Sequence, residues 1–311
     1  MKIIVSLYVY QFHLFVSYLN DGLEIIPFAD QRGHLNSNRN FLKKITAKSS
    51  FLELQGINNT IYTSKDDSLL SIDLRNGAQG LIVGENLQES PNISQLSIDY
   101  EFKNLYALSE KDGIYRLNVR NNHQNFEEKF IPKIFDTIGN PVVSNLIARN
   151  QNIFMALRNY GLSVISLEGN NITERKEIRT TDPQDVKKFT QNNFVVIADS
   201  EDGILIYDLE KYDFYKKVKL PNYDFPQQIE TSYNSIIIKG SKGLYIYNLN
   251  NGKFTVIREE KVGTFAVYYN YIFFTSKGNI FVYSLNDTFE NSRFTIDRSE
   301  LDVRVLHSNS S

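Results

Sequence analysis

One short pattern recurs seven times along the chain, and it limits the fold more than any other feature. Seven segments align without gaps: GLEIIPF (22–28), SLLSIDL (68–74), GIYRLNV (113–119), GLSVISL (161–167), GILIYDL (203–209), GLYIYNL (243–249) and NIFVYSL (279–285). Their starts lie 46, 45, 48, 42, 40 and 36 residues apart, a spacing that suits a four-stranded blade and is too long for leucine-rich or hexapeptide solenoids. Nine residues before the motif, His13, Asn59, Asn104, Asn152, Asn234 and Asn270 open a second apolar run, with Asn193 displaced by one inserted residue. Runs such as NLYALS, NIFMAL and NSIIIKG are rich in β-branched and aromatic residues, so each pair reads as a hairpin.

Side chains alternate between the two faces of a strand. Motif positions two and four are mostly Leu, Ile or Val, and positions five and seven are Ile, Leu, Val, Tyr or Phe, so both faces are apolar. A sheet with one wet side would alternate; a sheet wedged between two others must be apolar on both. Position six holds Pro27, Asp73, Asn118, Ser166, Asp208, Asn248 or Ser284, residues that favour turns and mark the strand's exit. A shorter apolar run precedes each hairpin, as in SNLIARN and DVKKFTQN, and a charged one follows, as in ITERKEIR and YKKVKL. Four strands per unit result, the last an outer edge whose Lys and Glu discourage pairing with other chains.

The expected fold is therefore all-β, a seven-bladed β-propeller of four-stranded antiparallel blades. It would form one domain over residues 1–306, with 307–311 a disordered tail. The hairpins, with N-hhhh followed by GLxhhDh, resemble the LVIVD-repeat propellers, and GLSVISL, GILIYDL and GLYIYNL match that pattern best. The resemblance implies a propeller and no particular activity. The WD and GH signatures of WD40 repeats are missing, as is all Trp. ELDVRVL (300–306) alternates apolar and charged residues and is expected to pair with the first or last blade and latch the ring.

Composition removes several chemistries. Thirty-four basic and thirty-six acidic residues give a net charge of -2, so no global field draws in nucleic acid or an anionic membrane. Without Cys there is no disulfide, thiolate site or Cys nucleophile. The four His (His13, His34, His123, His307) show no H-x-H or H-E-x-x-H spacing, and G-x-S-x-G, Walker and dinucleotide glycine patterns are absent. No cofactor or metal is expected. The apolar stretch 2–19 contains Ser6, Gln11, His13 and Ser17 and falls in register with the repeats, so it reads as two strands of a cytoplasmic protein; an exported surface-binding protein is the alternative.

Charged residues concentrate where the hairpins turn: Asp21, Asp66, Asp67, Glu110, Asp112, Glu201 and Asp202, with Arg158, Lys242 and Lys277 at the other tips. Converging carboxylates can hold a cation, as in a lactonase-type or esterase-type propeller hydrolase, but Asp before Gly is also what a tight hairpin requires. The preferred reading is a non-catalytic scaffold, a monomeric propeller within a complex, that offers this dipolar loop face to a protein partner. Ser71 and Arg116 stand where the other motifs have Ile or Val, which makes them candidates for a polar core or channel, as a tether or an anion site. The connections 29–40 and 120–141 exceed what a blade needs and make that sector the first choice for a partner site.

Overall fold

In the hairpin of blade 5, Phe194–Asp199 pairs with Gly203–Asp208 in the register Ile197↔Leu205, and nearly every residue of both strands is buried. Pro183–Lys188 lies on one side of this pair and Asp213–Val218 on the other, giving an antiparallel sheet in simple chain order. The outer strand, DFYKKV, is mostly exposed. Seven sheets of this kind make the fold a seven-bladed β-propeller. The computed structural model describes residues 3–28, 43–45, 50–65, 68–75, 79–84, 92–109, 111–120, 125–126, 128–138, 142–168, 171–189, 193–211, 213–258, 260–269, 271–285, 293–296 and 303–306.

The fixed nine-residue offset has a local cause. The N–H of the seventh motif residue (Phe28, Leu74, Val119, Leu167, Leu209, Leu249) donates to the carbonyl at the start of the preceding strand (Phe12, Asn59, Lys103, Gln151, Asn193, Asn234) at 2.7 to 3.0 Å. This bond closes a hairpin of set length. The sixth-position side chain then turns the chain away: Asp73, Asn118, Asp208 and Asn248 each accept the backbone N–H two residues on, at 2.9 to 3.0 Å. These are Asx turns, and they explain why Asp and Asn recur at that place.

The chain divides into two compact units, Leu52–Ile229 and Met1–Phe51 with Glu230–Ser311. In the first, Tyr62, Leu69, Leu105 and Leu117 pack blade 2 on blade 3, and Ile114, Met155, Ile165 and their neighbours pack blade 3 on blade 4. Phe154, Leu162, Val186 and Ile197 join blades 4 and 5. In the second unit, Ile237, Leu244, Phe265 and Ile272 join blades 6 and 7. There Leu14, Val16 and Phe28 of blade 1 also pack on Ala266, Phe273 and Val282 of blade 7, so the first and last blades meet face to face. The strand Val303–Leu306 pairs with Arg293–Ile296, the outer strand of blade 7. It extends that blade's edge as a fifth strand, so the tail pairs with the last blade as the sequence led us to expect.

The connection in blade 3 packs inward over its described residues. Asn125–Phe126 pairs in parallel with Gln79–Gly84, the outer strand of blade 2. Phe126 is 7% exposed and lies against Tyr115 with ring centroids 5.0 Å apart. The short helix Lys133–Ile138 that follows buries Ile134 and Phe135 between blades 3 and 4. Among its described residues this stretch buries Phe126, Ile134 and Phe135 and leaves Ile131 exposed. The connection 29–40 and the tail 307–311 lie outside the described residues.

Phe126→Ala removes a buried ring and opens the seam between blades 2 and 3, and we expect it to cost about 3 to 5 kcal/mol in denaturant unfolding. A change below about 1 kcal/mol would mean that the insertion is not a structural staple.

Candidate functional site

The tip of the blade 5 hairpin shows how a charged turn is built. Gly203 has φ 91°, and a Cβ there would stand 2.5 Å from the Val218 carbonyl of the outer strand, so only glycine fits. Asp199 is fully buried and accepts three backbone N–H groups, from Asp182 at 2.8 Å, Glu201 at 3.0 Å and Asp202 at 2.7 Å. It shapes the turn and ties it to the chain entering the blade. Blade 3 uses Ser109 in the same place, its hydroxyl donating to Asp112 at 2.9 Å.

The residues named from the sequence hold varied positions. Asp202 pairs with Lys217 and accepts the Thr181 hydroxyl at 2.8 Å, and these bonds hold its carboxyl below the usual range. Glu201 is exposed, while its backbone carbonyl accepts the Lys219 ammonium. Asp112 lies 3.9 Å from Lys129, and Arg158 donates to Gln184 at 3.5 Å. These four residues belong to the tips of blades 3 to 5, in one unit. Asp21, Lys242 and Lys277 belong to the other, where Lys277 pairs with Glu260 at 2.9 Å. Asp66, Asp67 and Glu110 lie outside the described residues.

Ser71 and Arg116 sit on the third strands of blades 2 and 3, turned toward the outer strands. The Ser71 hydroxyl donates to the Gly80 carbonyl at 3.3 Å, and Arg116 pairs with Glu128 at 2.8 Å, directly across the strand pair. Each contact holds one blade together. His13, the only described histidine, bonds the Gln11 carbonyl through Nδ1 at 2.6 Å, and burial lowers its pKa.

A polar cluster on the first strands of blades 2, 4 and 5 has no counterpart in the sequence reading. First strands adjoin within this unit: Val143–Arg149 runs between Gln95–Asp99 and Pro183–Lys188. The pairing of Leu52–Ile57, Val143–Arg149 and Pro183–Lys188 with their neighbours shifts register near its start, and Glu53, Asn145 and Asp185 fall at those irregularities. Such bulges re-aim side chains. Asp185, 2% exposed, accepts the Asn145 amide at 2.5 Å, the Val186 N–H at 2.8 Å and the Ile229 N–H at 2.7 Å, so one carboxylate ties blade 4 to blade 5 and to the last residue of the same unit. Glu53, with φ 47°, keeps some accessible surface while protein atoms crowd its carboxyl. Burial raises its pKa to about 7, opposed by the Lys187 charge and the Leu96 N–H and reinforced by Asp185. Its proton is thus exchangeable near neutrality. The cue in the sequence was the polar residue just before each first apolar run, but the face it takes depends on the bulge.

Among the described residues no three His, Asp or Glu side chains converge as metal ligands. No helix is long and apolar enough to cross a membrane. No family model matches the chain, so its likeness to LVIVD propellers rests on the strand motifs alone, and no curated protein matches. Solved structures do match. A computationally designed protein, Ika8, aligns over 98% of this chain and 96% of its own with TM-score 0.67 and 10% identity. A chain of the mitotic checkpoint complex aligns over 91% and 90% with TM-score 0.70, also at 10% identity. At that identity the likeness establishes the fold alone.

Glu53 gives a pH prediction with a definite sign. Its folded-state pKa, about 7, lies above the ordinary 4.5, so folding favours the protonated acid. The stability it adds is complete below the ordinary carboxyl range and is lost as pH rises through about 7, by up to about 3 kcal/mol. Urea unfolding across that range should show Glu53→Gln abolishing this decline and exceeding the parent in stability at alkaline pH. Parallel pH curves for the two proteins would show that Glu53 is not the group responsible.

Proposed function

We propose that the protein is a non-catalytic propeller scaffold that binds a protein partner through the face carrying its hairpin tips. In this reading residues 1–306 act as one domain and as a single copy within a larger assembly. The observation that carries it is the nature of the tip charges. Lys277 and Glu260, and Lys129 and Asp112, are exposed pairs, and Glu201 and Lys242 are exposed. Exposed pairs of this sort contribute about 0 to 1 kcal/mol to folding, so a partner can exchange them for its own contacts at little cost. Charges of both signs on rigid turns favour steering and register over bulk affinity. The fold supports this role, since propellers present loops on a stable scaffold and need no chemistry of their own.

The test begins with quantitative capture from extract of the source organism, followed by association kinetics with the identified partner. Lys242→Glu with Lys277→Glu, and separately Arg158→Glu with Glu201→Lys, should leave the fold intact and slow association roughly tenfold or more at low salt. Association rates unchanged in both double variants would remove this face from consideration.

A further inference from the structure

We propose a second docking surface, formed by the turns between first and second strands of blades 6, 7 and 1 and suited to an uncharged, apolar-rich protein segment. It is independent of the charged hairpin tips. These turns are two-residue hairpin loops, which need a left-handed first residue and favour Asn or Gly there. Blades 2 and 4 conform, with Asn58 (φ 55°) and Asn150 (φ 49°). Blades 6 and 7 instead place Tyr233 (φ 47°) and Tyr269 (φ 50°) at this position, and blade 1 has Phe12 (φ 62°) one residue later. A bulky side chain is disfavoured in that conformation, yet the two tyrosines stand 53% and 63% exposed. A local rule broken by side chains left largely in solvent points to a use outside folding.

The three turns form one patch. Ser232 donates its hydroxyl to the Tyr269 carbonyl at 3.0 Å, bringing blade 6 to blade 7. Tyr268 lies 4.6 Å from Tyr269 and 5.6 Å from Phe12, centroid to centroid, bringing blade 7 to blade 1. The turn segments read TSYNS (231–235), YYNY (268–271) and YQFH (10–13), with no Lys, Arg, Asp or Glu among them. Tyr offers a large, stiff, amphipathic contact at low entropic cost, and Ser, Asn and Gln supply adaptable hydrogen bonds, the mixture that serves protein recognition. The absence of charge specifies the partner's chemistry: a neutral segment meets no unpaired charge here, whereas an acidic or basic one would lose hydration without compensation.

The experiment selects a random linear-peptide phage library against the full chain, with the Tyr233→Asn, Tyr269→Asn double variant in parallel. Asn suits both turns, so the variant should melt at the same temperature or higher; the single variants serve if it does not fold. Uncharged apolar peptides should be enriched, bind equally between about 0.1 M and about 1 M salt, and weaken roughly tenfold or more on the double variant. Absence of enrichment, peptides retained by the variant, or charged peptides whose binding falls with salt would overturn the proposal. So would a glycan or single-stranded oligonucleotide that binds in place of peptide and is lost in the variant, or a dimer in sedimentation that the variant dissolves.

Discussion

Everything in this protein depends on apolar contact between the faces of neighbouring sheets. A single four-stranded blade buries neither of its faces, so it has no stable existence alone; its hairpin becomes a core only when another blade covers it. That requirement explains why residues such as Ile197 and Leu205 are fully or almost fully buried although they pair within one sheet. It also explains the contact between blades 1 and 7, where Phe28 and Phe273 meet at 4.7 Å. By covering each other, blades 1 and 7 remove two exposed apolar faces at once.

The hairpins were legible in the sequence because their constraints are local. The offset of nine residues is the length of a hairpin closed by one backbone hydrogen bond, and Asp73, Asn118, Asp208 and Asn248 recur because each makes the same Asx turn. Strand alternation then fixes which residues face a neighbouring blade. All of this follows from residues within one hairpin of each other, and the seven-fold repetition multiplies a weak signal into a firm one.

What stayed hidden depends on longer range or on departures from regular pairing. Phe126 is an ordinary loop phenylalanine in sequence, and nothing local says that its segment will pair in parallel with the outer strand of blade 2. Glu53 and Asp185 are two carboxyls just before apolar runs, indistinguishable until the bulges set their directions; one then bonds the Asn145 amide and the Ile229 N–H while the other is crowded until its pKa approaches neutrality. Asp199 stands in sequence beside the acids of a hairpin tip and is the buried centre of the turn. Burial and partner count separate structural carboxylates from available ones, and a sequence contains neither.

The same separation bears on function. A residue that satisfies the fold is weak evidence for anything else, and among the charged tips Asp202 does so, bonded to Lys217 and Thr181. The tyrosines at 233 and 269 do the opposite, since they stand exposed in a backbone conformation that Asn would hold more readily. Selection for stability alone would replace them. Their presence is intelligible if an aromatic ring at the surface contributes more to binding than it costs the turn, and that balance is set outside the chain.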